Sequence, residues 1–69
     1  MAKVAMVLGK ADELVPLEWQ RAGTGLCMAW AKTGDMDRAQ FERQVRRLFP
    51  ARTRYEVTEQ DDSWKAVVT

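Results

Sequence analysis

The segment Lys3 to Gly9, KVAMVLG, is apolar on both of its alternating faces and rich in valine, which predicts a strand closed by a glycine. A strand with two apolar faces belongs either inside a sheet or on an edge that a partner covers. After the polar residues 9–13 the pattern changes. Trp19, Ala22, Leu26, Ala29 and Trp30 recur at spacings of three and four, the period of one helix face. Pro16 suits a first helical turn, Glu18 favours the positive end of the helix dipole, and Gly34 follows as a C-terminal cap. The spacing predicts a helix over 16–33. The apolar run Leu26 to Ala31 is also short enough for a strand, but it lacks β-branched residues.

A second helix has a sharper start. Asp37 with Gln40 three residues on forms a capping box, and Met36 and Phe41 stand where a hydrophobic staple would place them. Phe41, Val45 and Leu48 make its apolar stripe, and Pro50 stops it. The tail then alternates with period two. Thr53, Tyr55 and Val57 share one strand face, Trp64, Ala66 and Val68 another, and a turn near residues 60–62 joins them as a hairpin. Whether Tyr55 and Trp64 are core or exposed is open at this level. The resulting order is β-α-α-β-β: one α+β domain over residues 1–69, with a three-stranded, mostly antiparallel sheet and two helices on one face.

A chain of 69 residues buries only about 60% of its unfolded surface, and its core supplies about 3–5 kcal/mol, so the large apolar residues matter individually. One cysteine and no histidine leave no ligand set for zinc and no Ser/His/Asp or Cys/His arrangement. The expectation is a protein that is no enzyme and carries no metal and no cofactor. Asp61-Asp62 and Asp35/Asp37 read as turn and cap residues. Cys27 lies in an apolar run and reads as a buried thiol. Gly23-Thr24-Gly25 lacks the third glycine of a dinucleotide loop, and Lys32-Thr33 lacks the glycines of a phosphate loop upstream. The lone cysteine, the absence of a secretory pattern at the start and the short apolar runs lead us to expect a cytoplasmic protein without a membrane segment.

Two surface features remain. On the expected first helix, Gly25, Cys27, Met28 and Ala29 would allow close backbone approach and form a self-association seam, which makes a homodimer an expectation. Residues 38–54 hold six arginines against Glu42 alone, +5 in a chain whose formal net charge is +1. Arg43, Arg46 and Arg47 fall on one helical surface, and Arg52 and Arg54 follow Pro50. Arginine forks suit the carboxylates of a protein partner as well as phosphate. The favoured expectation is a small protein-binding module, an inhibitor or adaptor of the kind carried by phages and mobile elements, using these five arginines. The alternative is a nucleic-acid-binding regulator: two helices and a hairpin resemble a winged helix-turn-helix arrangement, although the tip at Gln60-Asp61-Asp62 is acidic.

Overall fold

The computed structural model of the protein describes residues 2–69. Its elements are β1 (Lys3–Leu8), β2 (Leu14–Arg21), β3 (Cys27–Lys32), α1 (Arg38–Leu48), β4 (Tyr55–Gln60) and β5 (Ser63–Val68). The five strands form one antiparallel sheet in the order β1-β2-β3-β5-β4. This corrects the expected architecture: the domain is mostly β, with five strands and one helix instead of three strands and two helices.

The correction lies entirely in residues 14–32. No helix forms there; the segment is the β2–β3 hairpin. Gly23 and Gly25 sit at its turn with φ of 75° and 74°, and the Ala22 N–H donates to the Leu26 carbonyl to close the loop. Positive φ is a conformation that glycine adopts without steric cost, so these two residues turn the chain instead of letting helices approach. Pro16 sits within β2 and pairs with Met6 of β1, whereas pairing with β3 begins at Glu18. Proline cannot donate to a ladder, which fits its place where the β3 side of β2 is unpaired.

The other elements form as the pattern predicts. The Asp37 side chain accepts from the Gln40 N–H at 2.8 Å while the Gln40 side chain accepts from the Asp37 N–H at 3.0 Å, a complete capping box. Met36 and Phe41 are both fully buried. The β4–β5 hairpin turns at Asp61-Asp62, both at positive φ, as a two-residue connection of strands with right-handed twist requires.

Strand register sorts every side chain to one of two faces. The row Lys3, Trp19, Ala29, Ala66 and Val57 runs across the covered face, with Cys27, Val68 and Tyr55 beside it. Helix α1 lies on this face, closest to β5, and sends Phe41 and Val45 into a core with Leu17, Cys27, Ala29, Ala66 and Val68. Trp64 and Tyr55 belong to the core side. The Trp64 indole N–H donates to the Met36 carbonyl at 2.9 Å, and the Tyr55 hydroxyl reaches the Phe49 and Arg52 carbonyls just past the helix end. Its single proton serves one of them at a time. Trp19 meets Phe49 edge to face at 5.4 Å.

Candidate functional site

One helix covers one side of the sheet, so the opposite side is open. Its central row is Val4, Glu18, Trp30, Lys65 and Thr58; the neighbouring row is Gln20, Met28, Val67 and Glu56. On the other flank lie Met6 with Pro16, Leu8 with Leu14, and Lys32 with Ser63 and Gln60. The face is divided. Its β1–β2 half holds every large apolar side chain that is well exposed among the described residues: Val4 at 57%, Met6 at 58%, Leu8 at 50% and Leu14 at 67%. These four side chains lie next to one another on β1 and β2 as one apolar cluster. Where β2 and β3 separate beyond Glu18 and Trp30, an open crevice of about 380 Å³ is lined by Pro16, Glu18, Trp30, Lys32, Asp35 and Ser63.

The two sheet edges differ. Strand β4 carries Glu56 and Glu59 along one edge, and charges there discourage pairing with another chain. Strand β1 carries no charge from Val4 to Leu8 and pairs with β2 residue for residue without a bulge. Its outer backbone groups are therefore an open template. Beside it runs a groove of about 330 Å³, between Ala5, Met6, Val7 and Leu8 of the strand and Gln44, Arg47 and Leu48 of the helix.

The structure divides the five arginines expected to bind a partner. Arg47 lines that groove, and Arg43 lies one helical turn before it, exposed. Among the described residues neither has an acidic group within ion-pair distance; the ion pair present is Arg38 with Glu42, Nε to Oε1 at 3.7 Å. Glu42 is thus turned to Arg38 and not to Arg46. Arg46 instead sits over the Tyr55 ring, 5.4 Å from its centroid. Arg52 is committed to the fold: its guanidinium donates to the Gly25 carbonyl at 2.6 Å and lies 3.7 Å from the Cys27 sulfur, tying the β2–β3 turn to the segment after the helix. Arg54 is exposed, and its backbone pairs with Thr69.

The residues expected to form a self-association seam are also separated. Cys27 and Ala29 are buried beneath α1, Gly25 is in the turn, and Met28 alone points to the open face. The expected seam belongs to a helix over 16–33 that does not form. Val4, Met6, Leu8 and Leu14 were not singled out from the sequence, although the two apolar faces of β1 carried the signal. No helix of the described residues is long and apolar enough to cross a membrane. Comparison with protein-family models, with curated proteins and with solved structures finds no match for the chain.

Proposed function

We propose that this protein is a non-enzymatic binding module that takes an extended, acidic segment of a partner protein along β1. The carrying observation is the juxtaposition of a regular edge strand, without charge from Val4 to Leu8, with a groove that Arg47 lines and Arg43 flanks. Backbone groups of β1 would supply the ladder, as in strand addition to a sheet edge. The arginine forks would select carboxylates at alternate positions of the incoming strand. Arg52 has no part in this reading because it holds the turn, and Arg46 is secondary because it lies over Tyr55.

A random-peptide display library panned on the immobilised protein tests the proposal. Recovered peptides are expected to be extended in character and enriched in Asp and Glu, and binding should fall about tenfold or more in the R43E/R47E double variant, the scale for loss of charge-assisted contacts. Both arginines are exposed, so the fold should be unaffected. Equal enrichment on the double variant contradicts the proposal. So does selective capture of a random DNA or RNA pool that R43E/R47E abolishes and that falls steeply with salt, because the arginines would then serve phosphate.

A further inference from the structure

We infer that the open face of the sheet is the interface of a symmetric dimer, and that what covers it is a second copy of this chain. The inference rests on side chains of the open face, whereas the partner segment proposed for β1 rests on the edge backbone and the arginines; Met6 and Leu8 border both surfaces.

Five strands of six to eight residues at a spacing of about 4.8 Å and a rise of about 3.3 Å present a face of roughly 20 by 24 Å. With side-chain relief, that approaches the lower end of what each partner contributes to a stable interface. The charges on the face are mixed and balanced, Glu18 and Glu56 against Lys32 and Lys65. Such a pattern suits its own copy better than a uniformly charged surface.

Register chooses among the possible twofold axes. An axis along β3 would lay the apolar β1–β2 half over Thr58, Gln60 and Glu56 of the copy's β4. An axis across the strands keeps each strand over its own copy, so apolar meets apolar. If that axis passed through the central row, Glu18 would meet Glu18 and Lys65 would meet Lys65. Through the flanking row of Met6, Pro16, Lys32 and Ser63 it would set Lys32 on Lys32. Between the two rows no like charges lie directly opposite each other, and the copy's Lys32, which faces Trp30, has Glu18 on one diagonal and Lys65 on the other. Val4 then faces the copy's Met6, Glu18 its Pro16, Trp30 its Lys32 and Lys65 its Ser63, with Glu18 diagonal to the copy's Lys32. Aligned sheets cross at about 30°, so these pairings hold best near the centre. Lys32 would stand over the copy's indole, a favourable cation–π geometry, and the crevice beside Trp30 would be filled. In this dimer α1 and its arginines face outward on both sides.

Sedimentation of the wild-type chain over a roughly hundredfold range of concentration should show a mass that rises with concentration to twice that of the monomer. M6K, E18K and K32E each change an exposed residue and should raise the dissociation constant about tenfold or more. Their thermal midpoints, extrapolated to low concentration, should match the wild type. Mixing E18K with K32E should restore the dimer, because each chain then carries the charge that the other lacks. A wild-type chain that stays monomeric overturns the proposal, as does a dimer that the three substitutions leave intact. Failure of the E18K/K32E mixture to recover association overturns the pairing on which the choice of axis rests.

Discussion

Phe41→Ala is expected to leave the chain unfolded at 25 °C, read as loss of the sigmoidal thermal transition and of dispersed amide signals. Phe41 is fully buried at the end of the first turn of α1, the one helix among the described residues, and it belongs to the core with Leu17, Val45, Ala29 and Ala66. Removing a buried phenyl group costs about 3–5 kcal/mol through lost transfer energy and the cavity left behind. A domain of this size has about the same amount in total. Relaxation cannot close the gap easily, because the core that α1 covers includes Ala29 and Ala66, which have no larger side chain to swing inward. Phe41→Leu fills most of the volume and should stay folded with a lowered midpoint. A cooperative transition for Phe41→Ala close to that of the wild type would mean that α1 is not the lid of this core.

Gly9→Ala should cost about 2 kcal/mol, within the range for forcing a methyl group into a packed site. A Cβ at this position would stand 2.6 Å from the Asp35 carbonyl oxygen and 2.9 Å from both methyl groups of Val15. The Asp35 oxygen cannot withdraw freely, since it accepts from the Lys10 N–H at 2.6 Å. The Gly9 carbonyl in turn lies 3.4 Å from the Gln40 amide, which joins the β1–β2 turn to the first turn of α1. Gly34→Ala is the matched control. It meets nothing within 4 Å, so it should be neutral or gain about 0.4–1 kcal/mol from a less flexible unfolded chain. Urea denaturation of both variants reads the difference. Equal stability of the two would show that the loop after β1 does not dock on Asp35.

How much of this was legible in the sequence depended on whether local signals and tertiary context agreed. At α1 they agreed: the cap at Asp37, the partner at Gln40 and the stripe Phe41, Val45, Leu48 all serve the same buried face. Strand β1 and the terminal hairpin were legible from valine content and period-two alternation. In 14–32 the signals conflicted. Trp19, Ala29 and Trp30 satisfy a helical spacing, yet Trp19 and Ala29 are cross-strand neighbours and Trp30 points to the other face of the sheet. Ala29 and Ala31 have little β preference of their own. They are small because they lie on the helix-covered face, where Ala66 shares the centre, and that requirement cannot be seen until the helix is placed. Gly23 and Gly25 were decisive for the turn but ambiguous in isolation, because only the backbone shows their positive φ.

The candidate surfaces followed the same rule. The arginine excess was plain from composition, but its division was not: Arg52 is held by the Gly25 carbonyl, and a contact across 27 residues leaves no local mark. The open apolar face was hidden for a related reason. Once 16–33 is read as a helix, Leu14, Pro16, Met28 and Trp30 have no place on a sheet, and β1 alone carries the signal of an apolar face awaiting cover. Only the β2–β3 hairpin turns Leu14, Pro16, Met28 and Trp30 to the same side as Val4, Met6 and Leu8.

Everything proposed about the open face, and the edge that borders it, therefore rests on residues 14–32 being a hairpin within a five-stranded sheet. Backbone NMR of the labelled chain measures this directly. Extended-chain carbon shifts should run over 14–21 and 27–32, with cross-strand contacts from Trp19 to Ala29 and from Ala29 to Ala66. Helical shifts and sequential amide contacts running through 16–33, without a Trp19 to Ala29 contact, would contradict the account.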